Sequence, residues 1–558
     1  MQSEFIKFIR KNELYFVIIF FLILWLDMFF SSGMSTAGLN YLINDHAILK
    51  EHNQIFNFSE IFNSSFRDPF IVKYNDRFFP LYVFLMRLTP HIFGERSFLY
   101  YFSSLLVGLI TSISFYKFAR LINFSILVSL LFASLIVFGV QTSAYSYTFP
   151  VPAESTGTLF VSLALLTIAL NRKQKGYLGI LYDLLIAIFV VLAALNKESY
   201  ILVIPGIIFF KIWYSNQKNE SSFLKSLYVN RLLISILSIF FILVIIFIKT
   251  KVVSQGYAGV DQSTFNFENI RELFNFLWKN SILKSALVAN VIYLFILLFA
   301  RKLKQKFNPG FYIFSLLIII PQFILYAKSG MENSTHYLFP MIIGLSLLTV
   351  YPLNLIESLS EKKIKALYIV ASILIVLLAI GEYKVAKHYF IDKSQYLNNL
   401  EKMVSHPPDC LQSKENNVLV IGNPYSYSEP LPAYREFILE GKLHLNLKNI
   451  YLGTIGSIDS DLIAKNSNKD SVDLEHKFYR DKGSQQQHME EEYKHNTLNS
   501  LNSEELKNMN SIVVFSFTEY NKDFQTDTNQ WFNSKDYKLN LYPNVLYKDI
   551  DIGVFCRK

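Results

Sequence analysis

The sequence is poor in charged residues and in cysteine. Asp, Glu, Lys and Arg make up 17% of its 558 residues, whereas a soluble globular domain has about a quarter. With 52% hydrophobic residues and a positive mean hydropathy, this scarcity argues against a soluble protein. The two cysteines, Cys410 and Cys556, do not stand at a metal-binding spacing, which excludes a cysteine-based zinc site.

Three motifs of well-known enzyme and transporter classes are also missing. The sequence has no Walker-type glycine-rich loop, no G-x-S-x-G and no H-E-x-x-H. These absences disfavour ATP-driven transport, α/β-hydrolase chemistry and zinc-protease chemistry. The net charge of +9 does not indicate nucleic acid as a partner, because basic loops and anionic lipid headgroups account for it in a membrane protein.

Long apolar runs are abundant. A spanning helix needs roughly 20 mostly apolar residues, and eleven segments approach this, at 14–31, 97–115, 123–140, 155–170, 178–195, 200–214, 232–248, 282–300, 311–327, 337–352 and 366–381. The first segment, 14–31, has no A-x-A cleavage pattern after it and is longer than the apolar core of a signal peptide. We therefore interpret it as an uncleaved transmembrane helix. The sequence predicts a polytopic α-helical membrane protein with about eleven transmembrane helices.

The charges of the loops predict the orientation. Every second loop carries several Lys or Arg, at 117–120, 172–175, 218–231, 301–306 and 362–365. The short loops between them, at 141–154, 196–199 and 328–336, have at most one. By the positive-inside rule the N-terminus is cytoplasmic and everything after about residue 382 is outside. The expected location is a bacterial plasma membrane.

Two long loops are predicted on the outer side. The loop at about 32–96 contains an apolar stretch, Phe78–Leu88, that is too short to span and predicts interfacial or re-entrant helices. The loop at about 249–280 contains Phe265–Trp278, whose apolar positions recur at helical spacing. We expect this second helix to lie on the membrane surface.

The polar tail divides the chain into a transmembrane domain at 1–384 and an extracytoplasmic α/β domain at 385–558. Strand-like runs occur in the tail at Val418–Ile421, Ser511–Phe517 and Val545–Phe555. Both cysteines fall in the tail. A disulfide fits a periplasmic location, and two unpaired thiols are the alternative.

Polar and charged residues gather on the predicted outer face, although they come from separate loops. They are Asp27, Asn44, Asp45, His46, Asp76, Arg77, Glu154, Lys197, Glu198, Glu332 and His336. Ionisable groups near membrane depth are costly and indicate function by default. Polar residues from several loops on one side of a helix bundle would line a cavity at that end of the bundle.

This ordered set resembles the GT-C superfamily of integral-membrane glycosyltransferases, and within it the O-mannosyltransferase-like proteins. The resemblance covers roughly residues 14–381. The elements that carry it are Asn44-Asp45-His46-Ala47-Ile48, Asp76-Arg77 before Phe78-Phe79-Pro80-Leu81, Ala153-Glu154, Asn196-Lys197-Glu198-Ser199, and His336-Tyr337-Leu338-Phe339-Pro340. Asn44 stands where that family has an acidic residue, and His336 stands where it has an Arg.

The resemblance implies an enzyme that takes a sugar from a polyprenyl-phosphate carrier and attaches it to an outer acceptor. Asp45 is the candidate catalytic base, because a carboxylate can accept the proton of the acceptor hydroxyl. The candidate residues for binding phosphate or substrate are Arg77, Lys197, His336, Glu154 and Glu198. Cations among them would face the charge that develops on the leaving phosphate.

Structural alternatives stay open for each of these residues. Asp45 could instead be a solvated loop residue or a helix cap, since an Asn-Asp pair is common in turns. Arg77 and Lys197 could form plain ion pairs with Asp76 and Glu198. Glu154 could orient Lys197, bind a sugar hydroxyl, or serve only as an acidic residue at a helix N-terminus.

The sequence names neither the donor sugar nor the acceptor, which could be a glycolipid, a cell-surface glycan or a protein. It leaves a divalent metal requirement open. The alternative function is a lipid or polysaccharide transporter, or a non-catalytic membrane scaffold. A transporter should bury charges along a path through the membrane.

Overall fold

The structure is a computed structural model. It describes residues 12–39, 57–67, 79–138, 146–171, 176–219, 223–251, 267–279, 281–299, 308–329, 338–357, 362–412, 416–421, 438, 442–445, 450–453, 510–516, 537–542 and 551–558. Within these ranges nine helices are long and apolar enough to cross a membrane, and two shorter apolar helices, Ile126–Val137 and Leu283–Phe295, accompany them. These eleven coincide with the eleven predicted segments. The chain is a multi-pass helical membrane protein, as predicted.

The helices are α1 Glu13–Leu26, α2 Phe58–Phe62, α3 Pro80–Phe93, α4 Ser97–Leu121, α5 Ile126–Val137, α6 Ala153–Leu170, α7 Tyr177–Asn196, α8 Ile204–Asn219, α9 Phe223–Val229, α10 Arg231–Lys251, α11 Phe267–Lys279, α12 Ser281–Phe299, α13 Pro309–Ser329, α14 Phe339–Glu357 and α15 Lys362–Ser405. Irregular helical turns occur at Asp27–Ser31 and Asn63–Arg67, which are π-helical, and at Met34–Thr36, Glu198–Val203 and Asp409–Leu411, which are 3₁₀.

Helices α1 and α4 pack against each other in opposite directions. The Trp25 ring fills the space over Gly108, where an added Cβ would lie 2.2 Å from the ring. The Trp25 indole N–H donates to Ser112 Oγ at 3.1 Å. At the start of α1, Glu13 accepts from Arg120 near the end of α4, with Oε1 and Nε 2.6 Å apart. Two polar contacts at different depths thus align an otherwise apolar helix pair.

The hairpin of α6 and α7 is tied at both ends by asparagine side chains. At one end Asn196 donates to the carbonyl oxygen of Ala153. At the other end the Asn171 amide donates to Asp183 Oδ1 at 3.0 Å. Because an unpaired polar group is costly in an apolar surrounding, these contacts fix the relative position of the two helices. The end that carries Ala153 and Asn196 is called the loop end below.

Helix α15 is longer than the sequence predicted. Its 44 residues extend about 66 Å at 1.5 Å per residue, whereas the hydrocarbon core is about 30 Å thick. The predicted segment ended at 381, but apolar residues continue at helical spacing and are buried at Ala386, Phe390, Leu397 and Leu400. This face packs on the chain after α1, where the Ser394 hydroxyl donates to the Ser32 carbonyl oxygen at 2.6 Å. The domain border at 385 stays a prediction.

Five strands form one sheet beyond α15. They are β1 Val418–Ile421, β2 Ile450–Gly453, β3 Ser511–Ser516, β4 Tyr537–Tyr542 and β5 Asp551–Arg557. Their order is β2-β1-β3-β5-β4, with β1 parallel to β2 and β3, and β5 antiparallel to β3 and β4. Each of the three predicted strand runs contributes a strand. The chain between the strands lies largely outside the described residues, so an α/β domain stays a prediction.

A disulfide joins Cys410, after α15, to Cys556 in β5, with Cα atoms 5.5 Å apart. The sequence had left this bond open. The Lys442 ammonium also pairs with the carboxylate of Glu95, in the turn between α3 and α4. The bond and the ion pair hold the sheet region close to the loop end of the bundle.

Helices form in both stretches for which the sequence predicts interfacial or re-entrant helices, and the interfacial position of the first stays a prediction. Phe78–Leu88 corresponds to α3, and Phe265–Trp278 corresponds to α11. In α11, Leu273 and Leu277 are buried, while Phe274 and Trp278 are exposed and stack on each other. The position of α11 on a membrane surface stays a prediction.

Candidate functional site at the loop end

Three of the predicted site residues lie among the described residues, namely Glu154, Lys197 and Glu198. The other three, Asp45, Arg77 and His336, lie outside them, together with Asn44, His46, Asp76 and Glu332. How these seven residues are placed relative to Lys197 therefore stays a prediction.

Glu154 lies in the first turn of α6 because of the prolines that precede it. Pro152 precedes the first helical residue with φ −81° and ψ 117°, an extended conformation that suits the residue before a helix. Helix α6 therefore begins at Ala153, and its second residue is acidic. A negative charge in the first turn interacts favourably with the helix dipole, although Glu154 is also buried, with 7% of its surface exposed.

Lys197 lies directly after α7, where the backbone leaves the helix. Its φ of −153° and ψ of 128° are extended, and a 3₁₀ turn, Glu198–Val203, follows. This break turns the lysine side chain towards α6. The Lys197 Nζ lies 2.7 Å from Glu154 Oε1, and the two side chains are only 8% and 9% exposed.

The Glu154 carboxylate is paired with a buried cation, as the interpretation that it orients Lys197 requires. The interpretations of Glu154 as a ligand of a sugar hydroxyl and as an acidic residue at a helix N-terminus stay open beside it. A role of the Lys197–Glu154 pair in catalysis stays a prediction. Glu198 is the first residue of the 3₁₀ turn that follows Lys197.

Tyr200 anchors the turn to α6. Its hydroxyl donates to the Glu154 carbonyl oxygen and lies 2.6 Å from Thr158 Oγ1. Its ring lies on Gly157, where an added Cβ would be 2.5 Å from a ring carbon. Glycine at 157 therefore allows the close approach that positions Lys197.

Helix α13 holds the same turn from another side. The Gln322 side-chain amide donates to the carbonyl oxygen of Ser199. Gln322 is buried next to Pro321, in the middle of an apolar helix. Three helices thus converge on the four residues from Asn196 to Ser199.

Another buried lysine contacts the segment before α6. Lys393, on α15, has its Nζ 5.4 Å from the centre of the Phe149 ring and 5.6 Å from that of Tyr396. The Ser104 hydroxyl fixes Phe149 by donating to its carbonyl oxygen at 2.9 Å. Sequence reasoning missed Lys393 because it follows the last predicted span. The apolar spacing from Ala386 to Leu400 was the signal that could have found it.

Aromatic side chains fill the space around Tyr147. Its ring lies 4.8 Å from Trp25 and 6.1 Å from Phe339, measured between ring centres. A small cavity nearby is lined by Trp25, Phe29, Met34, Tyr101, Leu105, Tyr147 and Phe390. Burial raises the pKa of the Tyr147 phenol well above its usual range, so this hydroxyl stays protonated at any physiological pH.

Asp27 lies in the π-helical turn after α1 and contacts α15. Its carboxylate lies 2.8 Å from Lys387 Nζ and accepts a hydrogen bond from the Tyr383 hydroxyl. Both side chains of the ion pair are about one-third exposed. This contact ties the turn after α1 to helix α15.

A second buried pair lies nearer the other end of α7. Lys211 Nζ is 2.8 Å from Asp183 Oδ1, with side chains 5% and 11% exposed. Asn171 donates to the same oxygen.

Among the residues that the structure describes, no group of three or more His, Cys, Asp or Glu side chains could hold a metal ion.

The chain is similar to several solved structures, two of which follow. No family model and no curated protein sequence matches the chain. The structure of ArnT from Cupriavidus metallidurans bound to undecaprenyl phosphate is similar at TM-score 0.45 and 11% identity, over 96% of this chain and 97% of that one. The Archaeoglobus fulgidus oligosaccharyltransferase tethered with an acceptor peptide is similar at TM-score 0.38 and 15% identity, over 79% of this chain and 64% of that one. Neither similarity assigns a function to this chain.

Proposed function

We propose that this protein is a GT-C-type membrane glycosyltransferase that moves a sugar from a polyprenyl-phosphate donor to an extracytoplasmic acceptor. The observation that carries the proposal is the buried Lys197–Glu154 pair at the loop end. Lys197 stands on irregular backbone, and Glu154 lies in the first turn of α6. The two residues belong to the Ala-Glu and Lys-Glu elements through which the sequence resembles that superfamily.

The chemistry of the reaction suits this pair. When the sugar leaves its carrier, negative charge develops on the phosphate, and a fixed cation in a site shielded from water stabilises it. Lys197 is such a cation, and Glu154 positions it. In the proposal Asp45 is the base that accepts the proton of the acceptor hydroxyl. Arg77 and His336 add positive charge, and Glu198 lines the same turn.

The orientation is part of the proposal. Disulfides persist in oxidising compartments, so the Cys410–Cys556 bond supports an extracytoplasmic sheet region. The basic loops of the sequence support the same orientation. We therefore place the loop end outside a bacterial plasma membrane, with residues 1–384 as the catalytic domain and 385–558 as a domain that helps to choose the acceptor.

The charge distribution disfavours the transporter alternative. Asp183 lies inside α7, and Lys197 directly follows the helix, about 21 Å further along its axis. The twelve residues from Leu184 to Leu195 are all apolar. A transport path should instead present polar groups at the membrane midplane. The buried charges on this helix therefore form two separate pairs instead of a continuous row.

A transfer assay on purified protein tests the proposal. The protein in nanodiscs is incubated with a panel of radiolabelled undecaprenyl-phosphate sugars and an extract of bacterial envelope lipids and glycans. We expect transfer from at least one donor, and a loss on the order of 10²- to 10⁴-fold in Asp45→Asn, since removal of a general base has that effect. Asp183→Asn is the matched control.

The outcomes separate the claims. Equal turnover in wild type and Asp45→Asn would remove Asp45 as the base. No transfer from any donor would remove the glycosyltransferase proposal and favour the transporter or scaffold.

A further inference from the structure

Gln322 is a fully buried polar residue inside the apolar helix α13. Its side-chain amide donates to the carbonyl oxygen of Ser199. Because a carbonyl oxygen can accept only from the NH₂ side of an amide, this contact fixes the direction of the side chain. An amide among apolar groups is unfavourable unless its hydrogen bonds are made, so the presence of Gln322 in this helix needs a reason.

The oxygen of the Gln322 amide is not compensated. Among the residues that the structure describes, Gln322 Oε1 is buried without a hydrogen-bond partner, and so are Asn196 Oδ1 and Ser199 Oγ in the turn that it contacts. Each such atom lowers stability. Where a side chain breaks a rule of stability, function is a common reason. Stability alone therefore does not account for Gln322.

Asn290, on α12, is a buried amide of the opposite kind. Its nitrogen donates to the carbonyl oxygens of Ala286 and Leu348, and its oxygen accepts from the Tyr312 hydroxyl at 2.7 Å. Leu348 lies four residues before Pro352 in α14, and proline has no N–H to give to that carbonyl oxygen. Asn290 supplies the missing hydrogen bond, so stability accounts for it.

The contacts of Gln322 relate it to Lys197. Asn196, the residue before the lysine, donates to the carbonyl oxygen of Ala153, and Gln322 holds the carbonyl oxygen of Ser199, two residues after the lysine. Lys197 itself has an extended backbone, so helix geometry does not fix the direction of its side chain. The two amides hold the chain on both sides of it instead.

We propose that Gln322 is a positioning residue for Lys197, through which helix α13 fixes the turn that carries the lysine. This inference rests on the proposed function. In that reaction a cation stabilises the leaving phosphate best when it is already in place before the charge develops. Gln322 acts through the backbone of the turn, and it needs no contact of its own with the substrate.

Gln322→Met tests the proposal in nanodiscs. Methionine has a similar size and removes one hydrogen bond together with one unpaired oxygen, two changes with opposite effects on stability. The melting temperature should therefore stay within about 2 °C of wild type. With a lipid-linked donor the kcat should fall on the order of 10-fold while KM stays within about threefold, because the cation is less well placed in the transition state.

Asn290→Leu is the matched control and should behave in the opposite way. It removes the donor to the Leu348 carbonyl oxygen and the acceptor of the Tyr312 hydroxyl, so its melting temperature should fall by several degrees. Turnover per folded molecule should stay within about twofold of wild type. Gln322→Leu is measured in parallel in case the methionine variant does not fold.

A second measurement follows Lys197 without sugar transfer. Wild type and both variants are treated with acetic anhydride, and acetylation of Lys197 is quantified by mass spectrometry relative to that of the more exposed Lys387. Lys197 should react several-fold faster in Gln322→Met than in wild type, because the turn is held less firmly. In Asn290→Leu it should react at the wild-type rate.

The outcomes separate the inference from the function on which it rests. If wild type transfers sugar from no donor, the proposed function fails, and the inference fails with it. If wild type transfers sugar and Gln322→Met keeps the kcat and the acetylation rate of wild type, only the inference about Gln322 fails. Equal losses of melting temperature and of kcat in Gln322→Met and Asn290→Leu would assign Gln322 a packing role and overturn the inference as well.

Discussion

Two buried lysine–carboxylate pairs flank the same helix, α7, and they differ in their backbone surroundings. Lys211–Asp183 and Lys197–Glu154 have nearly equal distances, 2.8 and 2.7 Å, and both are almost completely buried. The first joins two regular helices side by side. The second joins an extended residue to the first turn of a helix that follows two prolines.

The comparison shows that burial and pairing alone do not identify a functional residue. Asp183 also accepts from Asn171, so its pair is part of a closed structural network between α6, α7 and α8. In the loop-end pair, Lys197 stands on irregular backbone, which is where proteins often position side chains for binding. Under the proposed function, pairs of the same chemistry serve stability at Lys211–Asp183 and a reaction at Lys197–Glu154.

The largest effect is expected from removing each lysine in turn. Breaking a buried ion pair costs about 3–5 kcal/mol of stability, so Lys197→Met and Lys211→Met should unfold at similarly reduced temperatures. Lys197→Met should also lower turnover with a lipid-linked donor by about 10²- to 10³-fold, since a fixed charge near the leaving group is lost. Lys211→Met should keep turnover within about threefold, per folded molecule.

Thermal unfolding and transfer rates are measured on the same preparations of both variants. Comparable losses of turnover in the two variants would show that the pairs do not differ in function.

Exchanging the two charges within each pair sharpens the contrast. The double variant Asp183→Lys/Lys211→Asp should recover part of the roughly 3–5 kcal/mol lost by the single Lys211 variant, because the opposite charges still meet. The double variant Glu154→Lys/Lys197→Glu should recover stability to a similar degree but not turnover, since the cation now comes from a different backbone position. Recovery of turnover in the second exchange would mean that only the net charge matters there.

A smaller effect is expected from Gly157→Ala. The added Cβ would press on the Tyr200 ring and displace the hydroxyl that donates to the Glu154 carbonyl oxygen. Such overpacking costs about 1–3 kcal/mol, and we expect turnover to fall with it. Gly381→Ala is the matched control, because nothing lies within 4 Å of its added Cβ and it should gain about 0.5–1 kcal/mol. Urea unfolding of both variants measures the difference.

The sequence predicted the helices well because the membrane imposes their length and composition. All eleven apolar segments became helices, and the VLVI run became β1 with the predicted bounds. The extension of α15 was missed because residues 382–405 mix charged and apolar residues. Hydropathy alone assigns that mixture to a polar tail. Phe390 and Leu397, however, recur at helical spacing and form a face of the helix that packs against the protein.

The site was predicted in part. Glu154 and Lys197 were selected from short motifs, and the structure brings them into contact although 42 residues separate them along the chain. Lys393 was not selected, because no local pattern relates it to Phe149. Such a contact depends on how α15 packs against the loop end, which the sequence of either segment alone does not contain.

The most direct test of the loop-end site is a cryo-electron microscopy structure of the protein in nanodiscs with undecaprenyl phosphate. We expect the phosphate within about 4 Å of Lys197 Nζ, the limit for an ion pair, and no ligand density beside Lys211. A phosphate bound away from Lys197, with the Lys197–Glu154 pair closed and no ligand next to it, would contradict the account.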